Sequence, residues 1–165
     1  MKLSLLAAIA ALGLTALPAF AHDFKIGDLI VDHPMAFETA KTAKAGGGYL
    51  SVTNTGDTAD RLIAVRADLP KVALHTTIEE DGIAKMRHLD AIDLPAGETI
   101  SLAPGGMHVM FMGLSDPFEA GAKIPATLIF ETAGELDVVF NVEERGGHDH
   151  GAEDHSDHSN HSATN

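Results

Sequence analysis

The chain of 165 residues contains no cysteine. This absence excludes disulfide bonds, zinc sites built on thiolates and catalysis by a thiol nucleophile. It also excludes the electron-transfer type of blue-copper site, because that site binds copper through a Cys sulfur. Any metal chemistry in this protein must therefore use histidine, methionine or carboxylate ligands.

Aromatic residues and positive charges are also scarce. The sequence has no Trp and one Tyr, and 11 Lys and Arg stand against 24 Asp and Glu, for a net charge of -13. Such an acidic chain argues against binding to nucleic acid or to an anionic membrane surface. The sequence contains no G-x-S-x-G, H-E-x-x-H or phosphate-loop pattern. These absences favour a binding protein over an enzyme.

The N-terminus has the composition of an export signal. Lys2 precedes an uncharged run from Leu3 to Leu17, which has the length of a signal core and is short for a membrane span. Ala19-Phe20-Ala21 fits the small-x-small cleavage pattern, so we predict cleavage after Ala21 and a periplasmic protein without a lipid anchor. His22 would then be the first residue. Its α-amine and imidazole could chelate Cu(II), and the alternative is a solvated terminal residue.

Short runs rich in Val, Ile and Thr follow, separated by turn residues. About eight such runs predict an all-β domain, either a β-sandwich or a Greek-key barrel. The stretch from Phe24 to Val31 is predicted as one strand, in which Gly27 could form a bulge and leaves the register open. His33-Pro34-Met35 is predicted as a strand end or loop, and its packing there is favoured over a role for His33 or Met35 as metal ligands.

Asp81-Gly82 is a strong signal for a two-residue hairpin turn. A tight turn there predicts the following opposed pairs: Glu80 and Ile83, Thr77 and Met86, His75 and His88. Directly opposed residues share a face of the sheet, so His75 and Met86 are expected to project from the same face. The same register brings His88 near, although a solvated strand residue is the favoured interpretation of His88.

His108 and Met110 stand two positions apart in a predicted strand and therefore share a face. Together with His75 and Met86 they make a set of two imidazoles and two thioethers. Thioether sulfur is a soft, neutral donor, and soft donors favour Cu(I) over Zn(II), Mg(II) or Ca(II). Methionine in a strand is more often a core residue than a ligand, so the pairing of Met110 with His108 carries this hypothesis.

The composition changes abruptly near residue 146. Residues 146–165 hold five histidines and four acidic residues, with no Lys, no Arg and no large hydrophobe. A segment of this kind cannot bury a core, so we expect a disordered tail. Its histidines favour binding of Cu(II) or Zn(II), and a merely solubilising tail is the alternative. These histidines are His148, His150, His155, His158 and His161. The predicted domains are a signal peptide (1–21), a copper-binding β-sandwich domain (22–145) and the tail (146–165).

The order His75, ten residues, Met86, twenty-one residues, His108, one residue, Met110 is similar to the pattern of the PCu(A)C family of periplasmic copper chaperones. The resemblance extends to the segments 72–75, 92–97 and 104–114, and covers roughly residues 24–142. It implies a cupredoxin-like Greek-key β-sandwich that binds one Cu(I) through the four residues of this pattern.

The resemblance also implies a role in delivering copper by ligand exchange. The acceptor would be the CuA domain of cytochrome c oxidase or a Sco-type thiol protein. Met35 stands where many relatives carry Trp, and Thr77 where many carry an extra Met, but neither change touches the four expected ligands. The alternative function is a copper or zinc buffer in which the tail is the main metal store.

Overall fold

The computed structural model describes residues 24–146, and this part of the chain contains strands and no helix that could cross a membrane. The predicted signal peptide, His22 and the five tail histidines lie outside the described residues. The strands are β1 (Phe24–Ile26), β2 (Leu29–Phe37), β3 (Ala45–Asn54), β4 (Asp60–Ala67), β5 (Lys71–Glu80), β6 (Ile83–Leu89), β7 (Ile92–Leu94), β8 (Thr99–Leu102), β9 (Met107–Met112), β10 (Lys123–Phe130) and β11 (Gly134–Glu143). The all-β class is confirmed.

One predicted strand is two strands. Gly27 adopts a φ of 55°, and the chain turns at Gly27 and Asp28 so that β1 pairs antiparallel with β2. The single strand expected over Phe24–Val31 was therefore wrong, because glycine enters the left-handed region without steric cost and closes a tight turn there. The segment 33–35 continues β2 through an irregularity between Asp32 and Met35, so the predicted strand end was also wrong.

The strands form one continuous mixed sheet that curls around a single core. They are hydrogen-bonded in the order β6-β5-β9-β3-β2-β11-β10-β4-β7, with β1 added to β2 and β8 added to β3. The pairing of β2 with β11 is parallel. The inner faces of both halves of this path bury one hydrophobic cluster, which includes Leu50, Leu62, Phe111, Leu128 and Phe140. The outer face of β6, β5, β9 and β3 is left to carry polar and sulfur-bearing side chains.

The glycine run 46–48 belongs to β3 and lets neighbouring layers approach closely. An ideal Cβ at Gly46 would lie 2.6 Å from Phe118 Cε2, and one at Gly48 would lie 2.7 Å from Phe111 Cε2. Both positions face the core, so any side chain there would collide with a packed ring. Gly47 faces the opposite side, towards the predicted metal ligands.

Candidate metal site

The β5–β6 hairpin has the register that the sequence predicts. Asp81 and Gly82 both have positive φ, at 55° and 74°, which is the requirement of a type I′ turn. The observed opposed pairs are Glu80 and Ile83, Thr77 and Met86, His75 and His88. The predicted register is confirmed, and His75 and Met86 share the outer face.

Three histidines form a row across three adjacent strands. His75 on β5 lies opposite His88 on β6, and on its other side it lies opposite His108 on β9. The ring centroids of His75 and His88 are 5.7 Å apart, and those of His75 and His108 are 6.0 Å apart. Both neighbouring rings stand nearly perpendicular to the central ring, at 86° and 79°. The central position of His75 makes it the residue around which the site is built.

Two imidazole nitrogens in this row are buried and have no partner. His108 is only 5 % exposed, and its Nδ1 lies 3.0 Å from the carbonyl oxygen of Gly106. A carbonyl can only accept, so Nδ1 carries the proton and Nε2 presents its lone pair. Within residues 24–146, His108 Nε2 and His75 Nδ1 are the buried side-chain nitrogen or oxygen atoms that lack a hydrogen-bond partner. An unsatisfied buried polar atom is costly, and a bound metal ion would satisfy both nitrogens.

The surroundings keep His75 neutral. Burial lowers the pKa of His75 from its ordinary value of 6.5, and the positive charges that His108, His88 and Lys71 can carry lower it further. Burial disfavours the charged imidazolium, and neighbouring cations repel it. A neutral imidazole is the form that binds a metal, so His75 stays ready to bind below the pH at which a free histidine takes up a proton.

The two predicted sulfur ligands flank the histidine row on opposite sides. Met86 lies opposite Thr77 and is 60 % exposed on the edge strand β6. Met110 lies opposite Ala73 on one side and Gly47 on the other, and is half-buried. Each methionine is therefore one diagonal step from His75, within reach of a long side chain.

A cavity of about 240 Å³ opens beside the row. Its lining includes Met86, His108 and Met110, together with Phe37, Tyr49 and Arg145. Sequence reasoning did not find the last three. Tyr49 alternates with Gly47 on β3 and so faces the same side, which was the one available signal. No local sequence pattern indicates that Phe37 or Arg145 lies at this cavity. The guanidinium carbon of Arg145 lies 5.7 Å from the centre of the Phe37 ring.

Solved structures with this arrangement of strands are known. The copper-bound PCuAC domain from PmoF2 is 31 % identical, covers 74 % of this chain and 98 % of its own, and has a TM-score of 0.64. The solution structure of CuI-DR1885 from Deinococcus radiodurans is 25 % identical, with coverages of 77 % and 84 % and a TM-score of 0.58. A family model described as "Putative lipoprotein LpqE-like" matches residues 29–142, which is more than half of the chain. The chain belongs to the LpqE-like family of PCuAC domains. The predicted family and the cupredoxin-like fold class are both confirmed.

A further relative of this chain is named "Putative lipoprotein Lxx21020", from Leifsonia xyli subsp. xyli (strain CTCB07). The two sequences are 39 % identical over an alignment of 109 positions, and the match covers 62 % of this chain and 66 % of that relative. The match therefore covers slightly less than two thirds of the relative.

His33 and Met35, which are also of residue types that bind metals, do not line this cavity. His33 is exposed, and its Nε2 pairs with Glu143 Oε1 at 3.1 Å. Met35 is buried opposite Tyr49. Across the described residues, no three His, Asp or Glu side chains are grouped so that they could hold an ion. A site with three or more protein ligands in this part of the chain therefore needs a donor of another type, and the sulfurs of Met86 and Met110 line the cavity beside the histidine row.

Proposed function

We propose that the protein is an envelope copper chaperone that binds one Cu(I) ion through His75, Met86, His108 and Met110. The observation that carries this proposal is the pair of buried, unpartnered imidazole nitrogens beside a cavity that both thioethers line. Buried nitrogens of this kind are expected to bind something, and the neighbouring sulfurs determine which metal is preferred.

The donor chemistry favours Cu(I). Thioether sulfur is a soft ligand, and imidazole tolerates copper in either oxidation state. All four ligands are neutral, so a monovalent ion introduces the only charge, which costs less to hold at a half-buried site than a divalent ion would. Two related structures, the copper-bound PCuAC domain from PmoF2 and CuI-DR1885, support this assignment.

Transfer would proceed by ligand exchange, without catalysis. Met86 stands exposed on the edge strand β6, where an incoming ligand could displace its sulfur first. The set lacks a thiolate, so a thiol acceptor would bind Cu(I) more tightly and draw it away. The acceptor we propose is the CuA domain of cytochrome c oxidase or a Sco-type thiol protein, met in the periplasm after signal cleavage.

Removing the sulfur ligands tests the site. Met86→Ala and Met110→Ala are each expected to lower Cu(I) affinity about tenfold or more, since each tenfold corresponds to about 1.4 kcal/mol of lost ligation. Competition titration against a Cu(I) chelator measures the affinity, and a thermal melt confirms that the fold is intact. Ile83→Ala is the matched control, because Ile83 is 61 % exposed on the same strand as Met86. Unchanged Cu(I) affinity in the Met86→Ala, Met110→Ala double variant would rule out the proposed site.

The second candidate function is a copper or zinc buffer. It is favoured by the five histidines between residues 148 and 161, a density that is typical of metal-binding tracts. In that case most of the metal would bind to the tail, and the β domain would serve as its carrier. Removing the tail separates the two functions, because a chaperone keeps its Cu(I) site and a buffer loses its metal.

A further inference from the structure

We propose that His88 gives the domain a second binding mode, in which His75 and His88 hold Cu(II) and water completes the coordination. The proposal rests on the proposed function, because it uses the central histidine of the same site. It adds a residue outside the four-ligand set and an oxidation state that the thioethers do not favour.

The spacing of the rings fits two ligands on one ion. At a metal–nitrogen distance of about 2 Å, an imidazole centroid lies about 3 Å from the metal, so two ligating rings sit at most about 6 Å apart. The centroids of His75 and His88 are 5.7 Å apart. The distance between His75 and His108 is 6.0 Å, so the central ring stands within ligating distance of a neighbour on either side.

The β6 strand offers one donor of each kind. Met86 and His88 stand two positions apart on the same face, as do Met110 and His108 on β9. Imidazole suits Cu(II), whereas thioether sulfur selects Cu(I). An ion held by His75 and His88 is therefore bound through nitrogen donors, which suit Cu(II) better than the sulfur of the neighbouring Met86 does.

The environment of His88 allows it to bind from solution. Its side chain is 60 % exposed on an edge strand, and the Oδ1 atom of Asp90 lies 3.6 Å from its Nε2. That distance is longer than a hydrogen bond, so little is lost when the ring turns towards a metal. No three His, Asp or Glu side chains converge so that they could hold an ion in the described part of the chain. Two imidazoles with water are therefore the set that this geometry supports.

The two modes share His75 and so exclude each other. A copper ion bound between His75 and His88 removes the central imidazole from the Cu(I) set. The β domain should therefore bind one copper ion at a time in this region, whichever oxidation state is supplied.

The experiment uses the full-length chain with His22 and the five tail histidines replaced by serine, which removes the other candidate Cu(II) ligands. In that background His88→Ala is expected to lower Cu(II) affinity about tenfold or more, because it removes one of the two protein ligands and each tenfold corresponds to about 1.4 kcal/mol of lost ligation. The electron paramagnetic resonance spectrum should show one fewer coupled nitrogen. Cu(I) affinity, measured by chelator competition, should change less than about threefold. His33→Ala is the matched control, since His33 is an exposed histidine on another strand.

Each outcome is decisive. Unchanged Cu(II) affinity in His88→Ala, or an equal loss of Cu(I) and Cu(II) affinity, would overturn the second mode. The Cu(I) arm with the Met86→Ala, Met110→Ala double variant tests the proposed function separately. If that variant loses Cu(I) while His88→Ala keeps it and loses Cu(II), both proposals stand. If the double variant keeps Cu(I), the chaperone site fails, whatever His88 does.

Discussion

Among single residues, Asp60 joins the start of β4 to the turn between β10 and β11. It is 8 % exposed, and its carboxylate accepts hydrogen bonds from the backbone nitrogens of Arg61, Thr132 and Ala133 at 2.7, 2.9 and 2.9 Å. Burial by itself raises the pKa of Asp60, but the three backbone donors outweigh it and leave the pKa below its ordinary value of 3.8. The charged form therefore stabilises the fold.

We expect Asp60→Ala to lower the free energy of unfolding by about 2–3 kcal/mol near pH 7, because it leaves buried backbone donors without an acceptor. Denaturant titration measures this value. Asp93→Ala is the matched control: Asp93 is an exposed carboxylate that pairs with Arg61 at 3.1 Å, and it should cost less than about 1 kcal/mol.

The same variant should show a defined pH dependence. The folded pKa of Asp60 is lower than its unfolded value, so its contribution is complete above about pH 4 and is lost as the pH falls through the folded pKa. The difference in unfolding free energy between wild type and Asp60→Ala should shrink below that pH. A difference that stays constant down to about pH 2 would contradict the assignment.

At the scale of elements, two adjacent glycines of β3 face opposite sides of the sheet. Gly48 faces the core, and Gly47 faces the candidate metal site. We expect Gly48→Ala to destabilise the fold by about 1–3 kcal/mol, because its Cβ would meet the packed Phe111 and Phe140 rings at 2.7 and 3.0 Å. Gly47→Ala would instead meet the hydroxyl of Tyr49 at 2.7 Å, at the end of a side chain that can move. Thermal melting and Cu(I) titration of both variants check this.

The two variants should therefore change different properties of the protein, namely Cu(I) affinity in one case and stability in the other. Gly47→Ala is expected to keep most of its stability and to lose several-fold in Cu(I) affinity, because Gly47 lies opposite Met110. Gly48→Ala should lose stability. Equal destabilisation by both changes would mean that the two faces of β3 are not independent.

The β5–β6 hairpin places Met86 through the register of its turn. Inserting one glycine between Asp81 and Gly82 should shift β6 by one residue, and a one-residue slip turns every side chain to the other face. We expect Cu(I) affinity to fall about as far as in Met86→Ala, with the core unaffected. Adding Met86→Ala to the insertion should produce little further loss, as for two changes that remove one interaction. Fully additive losses would show that the register does not position the sulfur.

At the scale of the whole molecule, we propose that the tail binds most of the Cu(II) and the core binds the Cu(I), apart from the one Cu(II) ion that His75 and His88 would hold. The tail offers imidazoles and carboxylates without sulfur, which suits Cu(II) or Zn(II). A chain ending at Gly147 should keep one Cu(I) ion and lose most Cu(II) binding relative to the full-length chain. Parallel Cu(I) and Cu(II) titrations measure both stoichiometries. Equal Cu(II) stoichiometry in the two chains would leave the tail with a solubilising role only.

The two parts should also differ in pH response. Tail imidazoles must each lose a proton to bind, so tail Cu(II) should be released as the pH falls from about 6.5 towards 5. In the core, thioethers do not titrate, and burial lowers the pKa of His75. Core Cu(I) should therefore survive to lower pH, and loss of both metals at the same pH would contradict this division.

Much of the site could be predicted from the sequence because its determinants are local. The Asp81-Gly82 turn fixes the opposed pairs of β5 and β6 through backbone geometry over a few residues. Strict alternation along β9 places His108 and Met110 on one face. The strand over residues 24–31 was mispredicted for a local reason as well, since a glycine in a strand run fits either a bulge or a turn.

Only the tertiary structure decided what stands beside these residues. The pairing of His75 with His108 joins strands that are distant in sequence, and no local rule fixes its register. That pairing completes the row of three histidines and buries the nitrogens that lack partners. The Gly106 carbonyl that sets the His108 tautomer, and the Phe37, Tyr49 and Arg145 side chains around the cavity, also converge only on folding. The sequence by itself determined the donor types and the hairpin register, because turns and strand alternation act over neighbouring residues. The tertiary structure determined which residues surround these donors, because burial and long-range strand pairing depend on the whole chain.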